Sequence, residues 1–177
     1  TSRISDVTVK NGSTGTLCFV SVEHTITTPR GVAIRERQDI VYRDMPSGGK
    51  NATPAKPATP PPAAKHRQVH VSDPVLLFRY SALTFNGHRI HYDREYVTKV
   101  EGYPGLIFHG PMQAALLVEF SAHLHGGVAP KKFSYRGLQP LFEGGEFSVN
   151  ANETAEGLDS WVANADGAPT MRGTANW

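Results

Sequence analysis

Apolar residues come first in short alternating runs and later at helical spacing, and this change of period divides the chain. Residues 17–24, with Leu17, Phe19, Val20 and Val22, are rich in branched and aromatic side chains. So are residues 31–42, where Val32 and Ile34 alternate against Arg35 and Arg37. Such runs predict half-buried strands. Asn11-Gly12 and Pro29-Arg30-Gly31 punctuate them as turns. Residues 4–44 therefore predict about three antiparallel strands, with no amphipathic helix among them. A segment of about 45 residues makes a poor independent core, so it needs something to pack on.

Residues 46–65 contain no Val, Ile, Leu or aromatic residue, and prolines stand at 46, 54, 57, 60, 61, 62 and 74. Such a stretch cannot bury apolar surface and favours extended polyproline conformations, which predicts an exposed linker over 46–73. Beyond it, residues 76–84 read as a strand and 93–100 as a short helix. The strongest helix expectation is 111–124. Pro111 suits a first turn, Met112, Ala115, Leu116 and Phe120 recur at helical spacing, and Gly126-Gly127 offers a stop. Only Gln113, Glu119, Ser121 and His123 interrupt its apolar character, which predicts burial on most sides. Strand-like runs follow at 133–138, 145–152, 158–164 and 170–177. A strand, a central helix and antiparallel strands wrapped round it make an α+β layer arrangement.

The 177 residues, 39% hydrophobic and 19% charged, suit one ordinary globular domain or two small ones. Lysine and arginine number 18 against 16 acidic residues. A formal charge of +2 lacks the basic excess that a nucleic acid or an anionic membrane would demand. Cys18 is the only cysteine, which excludes an intrachain disulfide and a zinc site with two thiolates. The longest purely aliphatic run, residues 114–118, is far shorter than the roughly 20 residues that span a bilayer. Residues 1–10 are polar and do not read as a secretory leader. A soluble protein of a reducing compartment is the expectation, with the cytoplasm as its simplest form.

Five of the eight histidines fall between His88 and His125, near both ends of the predicted buried helix. The run Asn86-Gly87-His88-Arg89-Ile90-His91-Tyr92-Asp93 is followed by His109-Gly110 just before that helix. Together these residues resemble the MaoC-like hydratase/dehydratase branch of the hot-dog superfamily. Within it the likeness is to the mesaconyl-, itaconyl- and hydroxyacyl-thioester subgroup, whose members carry two hot-dog modules per chain. The family pattern is Asp-x-Asn-Pro-x-His-x-Asp, then His-Gly. His91, Tyr92 and Asp93 match its His-x-Asp, and His109 with Gly110 match its second element. Asn86 stands where the family has its catalytic aspartate, and His88-Arg89 where it has Asn-Pro. The resemblance implies a double hot dog. Residues 1–45 would be an incomplete N-terminal module holding only closing strands, 46–73 the linker, and 74–177 a complete C-terminal module.

The chemistry so implied is addition or removal of water across an α,β-unsaturated acyl thioester. An imidazole titrates near working pH, so His91 is the expected general acid/base. Asn86 can hold the water through its carboxamide but cannot accept a proton. The backbone N–H of Gly110, at the tip of the long helix, would donate to the thioester oxygen as enolate charge grows. A dicarboxylic acyl group, as in mesaconyl or itaconyl thioesters, invites an arginine fork from Arg89 or Arg79, and Tyr80 and His109 complete the expected substrate-binding set. His88 reads as structural and Asp93 as the cap of the short helix. The resemblance implies no cofactor beyond a coenzyme A thioester as substrate, acyl-CoA or acyl carrier protein as partner, and homo-oligomers formed through hot-dog sheets. Other readings are a 3-hydroxyacyl-carrier-protein dehydratase of fatty-acid synthesis, a hot-dog thioesterase and a non-catalytic acyl-CoA-binding module. Metal-dependent hydrolysis through His88-x-x-His91 with His123-x-His125 is weaker, since the first pair falls short of i, i+4 spacing and no Glu follows His88.

Overall fold

A computed structural model describes residues 1–12, 15–43 and 63–177. The chain forms two compact units, Thr1–Gly48 and Gly49–Trp177. Most of the expected linker, residues 46–62, lies outside the described residues.

The first unit is an antiparallel sheet of β1 (Ser2–Gly12), β2 (Gly15–Thr28) and β3 (Gly31–Arg43), in that spatial order. Facing residues share one side of a sheet, and the register gathers apolar rows on one face while leaving Phe19 and Val41 among polar rows on the other. Val7, Val20 and Ile40 form one row and Val9, Cys18 and Tyr42 the next, whereas Arg3, Glu23 and Arg37 lie on the opposite face. The three strands are as predicted. Half-burial holds for β2, where residues 17–20 and 22 are half-buried and Ser21 is buried, but not for β3, which is exposed at every position except Ile40. The described residues of this unit include no helix to cover the apolar rows.

The second unit begins with β4 (His66–Val71), which pairs residue for residue with β6 (Glu146–Thr154). The linker reading of 46–73 thus runs too far: Val69 and Val71 re-establish strand alternation once the prolines end, and the ladder to β6 satisfies their backbone. Three helices follow, α1 (Pro74–Leu83), α2 (Arg94–Lys99) and α3 (Gly110–Leu124). The chain then returns as β5 (Lys132–Gly137), β6, β7 (Gly157–Ala163) and β8 (Pro169–Asn176). The spatial order is β4-β6-β7-β8-β5, so the helical excursion carries the chain from one sheet edge to the other. α3 lies against β5, β6, β7 and β8. A long helix held in an antiparallel sheet is the hot-dog arrangement.

α1 occupies residues expected as a strand. Asp73 accepts the Val75 N–H at 2.6 Å as an N-cap and Pro74 starts the first turn, a start signal that outweighs the aromatic content of the run. Leu77 and Ser81, four residues apart, form its buried stripe. In α3 the buried positions are Met112, Gln113, Ala114, Leu117, Phe120 and Ser121, while Ala115 is exposed. Gln113 and Ser121 are polar but satisfied: Gln113 Oε1 accepts from Thr170 Oγ1 at 2.7 Å, and Ser121 Oγ donates to the Leu117 carbonyl at 2.8 Å. Around this helix Leu77, Val97, Phe108, Val149 and Val162 are almost wholly buried. Each contributes roughly 1.5–3 kcal/mol of apolar transfer.

Candidate active site

The end of α1 sets the first half of the site. Its last turn closes with two hydrogen bonds, Asn86 N–H to the Ser81 carbonyl at 2.9 Å and Phe85 N–H to the Ala82 carbonyl at 3.3 Å. This closing pattern needs a left-handed residue, usually glycine, and Phe85 takes that place at φ 53°. Asn86 is turned back by it, and its Oδ1 accepts the His88 N–H at 3.0 Å. A single 3-10 turn, Arg89–His91, then lifts His91 out of the loop.

His91 is 7% exposed. Its Nδ1 lies 2.7 Å from the Ile107 carbonyl. A carbonyl only accepts, so Nδ1 carries the proton and Nε2 is left as the basic lone pair. Burial holds the ring below the ordinary imidazole pKa, the Ile107 carbonyl opposes that shift, and neighbouring His88 adds to it. His91 is therefore neutral near pH 7, the state a general base requires. The carbonyl is itself braced. Ile107 N–H donates to the Ile90 carbonyl at 3.0 Å and Phe108 N–H to the Leu141 carbonyl at 2.7 Å. Glu143, its side chain 2% exposed, accepts the Leu106 N–H at 3.1 Å and pairs with Arg94 at 2.6 Å.

His109, wholly buried, stands at the residue before α3 and makes no side-chain capping bond to it. Its ring stacks on that of His91, with centroids 3.8 Å apart and planes 18° apart. Its Nε2 lies 2.8 Å from Ser81 Oγ, and the Tyr80 ring leans on it at 4.7 Å. Burial first, and His91 second, pull the His109 pKa down to about 4. Gly110 follows by one peptide bond, so the helix-tip amide and the His91 ring lie at the same corner of the unit. A Cβ built on Gly110 would meet nothing within 4 Å, which leaves that amide open to close approach. Beside this corner Ser81, Asn86 and Tyr92, with the apolar Phe78, Ala82 and Phe85, line an open cleft of about 320 Å³.

Several expected residues stand elsewhere. Arg89 sends Nε and Nη2 to Asp93 Oδ2 at 3.1 and 2.8 Å and lies over the Tyr96 ring, so its fork is already committed. Asp93 caps α2 by accepting the Tyr96 N–H at 2.9 Å, as expected. Arg79 is exposed on α1 and lines a separate cleft with Asp73 and Leu83. His109 is too deeply buried for the direct substrate contact expected of it; it meets His91 and Ser81 instead. His123 and His125 fall at the far end of α3, about 20 Å from His91 by helix rise alone, and His125 stacks on Trp177 at 4.0 Å. The two histidine pairs do not converge on one ion. Ser81 and Glu143 were not legible beforehand, since each acts across 28 or more residues of sequence.

A hot-dog unit with an imidazole at the tip of its long helix defines the structural class. The chain belongs to the family described as hydroxyacyl-thioester dehydratase type 2 (Htd2), whose model matches residues 1–143. It is 42% identical to the mesaconyl-C(4)-CoA hydratase of Chloroflexus aurantiacus over 171 residues, 97% of this chain and 60% of that protein. It is 35% identical to the mitochondrial hydroxyacyl-thioester dehydratase type 2 of Schizosaccharomyces pombe over 105 residues, 58% of this chain and 35% of that one. The chain thus spans well under two thirds of these relatives. Among solved structures, HtdX of Mycobacterium tuberculosis matches 99% of this chain and 67% of its own, with TM-score 0.69 and 22% identity. The MaoC-like dehydratase of Phytophthora capsici matches 99% of this chain and 61% of its own, with TM-score 0.67 and 14% identity. At such identities these structures establish the shared hot-dog fold.

Proposed function

We propose that this chain carries the catalytic module of a hydro-lyase that adds water to, or removes it from, an α,β-unsaturated acyl thioester, with a C5-dicarboxyl coenzyme A thioester such as mesaconyl- or itaconyl-CoA as substrate. The observation that carries the reading is the fixed tautomer of His91: Nδ1 is committed to Ile107, and the ring lies against the residue that precedes Gly110. In hydration, Nε2 takes a proton from water as its oxygen attacks the β-carbon. Asn86, whose Oδ1 is occupied by the His88 N–H, offers its amide N–H groups to that water. The Gly110 N–H receives the enolate charge on the thioester oxygen. Protonation at the α-carbon by the imidazolium completes the addition, and dehydration runs the same steps backwards. With Arg89 tied to Asp93 and Arg79 on a separate cleft, neither expected arginine fork stands at the His91 corner. The likeness to the Chloroflexus protein supports the dicarboxyl substrate, and the family's description supports a longer 3-hydroxyacyl thioester on coenzyme A or a carrier protein as the second reading.

The same proposal takes residues 1–45 as part of a neighbouring hot-dog module, joined through a tether ending before β4 to the catalytic module, in a cytoplasmic homo-oligomer assembled through sheets. Among the described residues no helix is long and apolar enough to cross a membrane.

The test is incubation with a panel of enoyl-CoAs and 3-hydroxyacyl-CoAs, following the absorbance of the conjugated thioester beside a free-thiol assay. Hydration consumes the absorbance and leaves the thioester intact; release of thiol at the same rate would mean hydrolysis. His91→Ala is expected to lower kcat by about 10²–10⁴-fold, and retention of more than about a tenth of the rate removes His91 from the role.

A further inference from the structure

We propose that His109 is a positioning residue: wedged between Ser81 and His91, it fixes the plane of the His91 ring so that Nε2 is aimed at the water. This deepens the hydro-lyase reading and rests on it. His91 is tethered by one hydrogen bond, from Nδ1 to Ile107, and a single bond leaves the ring free to swing about that axis. A face-to-face contact removes the swing. His109 supplies it at 3.8 Å and 18°, and is itself held by the Ser81 hydroxyl at 2.8 Å and by Tyr80 at 4.7 Å. The chain from α1 to the base is therefore Ser81, His109, His91.

The choice of imidazole is informative. His109 Nδ1 is buried with no hydrogen-bond partner among the described residues. An orphaned buried polar atom costs about 1–3 kcal/mol, which a phenyl ring of similar size would avoid. Histidine at this place is explained if its other nitrogen must be gripped by Ser81, because phenylalanine would stack but could still turn. The groups around the pair are two rings and a carboxylate already paired with arginine. His88 meets the edge of His91 at 5.7 Å, Tyr80 meets His109, and Asp93 is neutralised by Arg89. Deep burial keeps His109 neutral, so it presents a π face to His91 whether that ring is imidazole or imidazolium.

The test compares wild type, Ser81→Ala, His109→Phe and His109→Ala for kcat, KM and the pH profile of hydration, with folded fraction followed by circular dichroism. Loss of aim is expected to lower kcat by about 10- to 100-fold in His109→Ala with KM within about twofold, and His109→Phe, which keeps the stack but loses the Ser81 bond, should recover only part of the loss. Ser81→Ala, which also keeps the stack without the bond, should match His109→Phe. Removing the ring also admits water, so the acid limb of kcat/KM should rise toward the free imidazole value in His109→Ala alone. A raised KM at unchanged kcat would instead mean direct substrate binding and would overturn the positioning role. An imidazole titration of His91 followed by nitrogen NMR separates the two levels of argument. If wild type hydrates nothing, the hydro-lyase reading fails; if wild type is active and His109→Ala keeps both its kcat and the wild-type titration of His91, the positioning role fails.

Discussion

A base is useful only if it is neutral before the reaction and stays where the proton is. For His91 in its proposed role both conditions come from its neighbours: burial favours the neutral ring, Ile107 fixes its tautomer, and His109 meets its face. At Gly110 the condition is space, since beyond its own helix and chain neighbours no described residue comes within 4 Å of where a side chain would start. Gly110→Ala is therefore expected to fold normally, with a melting temperature no lower than wild type. The new methyl group projects into that space, where it obstructs close approach to the amide. Turnover should fall by at least about tenfold, as expected for partial loss of an oxyanion donor whose complete removal costs 10²–10³. Enoyl-CoA kinetics beside a thermal melt check it; full activity in the variant would mean that substrate does not approach that amide. The sequence put His91, Asn86 and Gly110 forward as candidates because such residue types are concentrated in two short runs, and the structure brings His91 against the residue that precedes Gly110. The braces behind them were not legible there. Ser81 and Glu143 are ordinary residues made significant by contacts 28 and 37 positions away.

At the scale of elements, what could be read in advance was decided by caps as much as by periodicity. α3 and the strands after it follow the expected pattern to within a few residues, since long runs bounded by glycines leave little choice. α1 was mistaken for a strand because its outward face keeps Val75, Phe78 and Leu83 exposed, which erases the amphipathic signal; only Asp73-Pro74 marks it as a helix. Its C-terminus is stranger still. Phe85 sits in the left-handed region with its side chain 96% exposed, whereas the matching position of α3 is Gly126 at φ 68°. A non-glycine residue there costs about 1 kcal/mol and gains no packing in return. Phe85→Gly is accordingly expected to stabilise the second unit by about 1 kcal/mol, a rise of a few degrees in Tm by calorimetry. If Tm falls instead, the ring makes a contact that outweighs the strain. Because Phe85 also lines the cleft beside Asn86, the same variant should weaken binding of apolar acyl groups, read as a higher KM for the longer thioesters.

For the molecule as a whole, the sequence announced a sheet lacking its own core followed by a self-sufficient α+β unit, and burial divides in the same way. Ser21 is the one buried residue described in the first unit, whereas the second encloses a continuous apolar cluster from Leu77 to Met171. What could not be foreseen is that this core encloses titratable rings, since burial depends on packing partners remote in sequence. His109, His91 and His70 all have pKa values lowered chiefly by burial, so all three favour the neutral form in the fold. The unfolded chain takes up these protons near pH 6.5, while folded His109 resists until about 4. Across that interval the unfolded state binds more protons, and stability must fall as pH falls. For His109 alone the loss amounts to about 3 kcal/mol once the pH is well below 4. Carboxylates add to acid sensitivity only further down: Glu153, held to about 2 by His66 and Lys65, gives up its share below the ordinary carboxylate range. Urea titrations at pH 7.5, 6, 5 and 4 should therefore show a steady decline that begins before any carboxylate titrates. In His109→Phe the same series should be markedly flatter between pH 6 and 4, because the ring that resists protonation is gone. A variant that keeps the wild-type slope would mean that His109 exchanges protons freely in the fold, and the buried neutral stack on which the base depends would not exist.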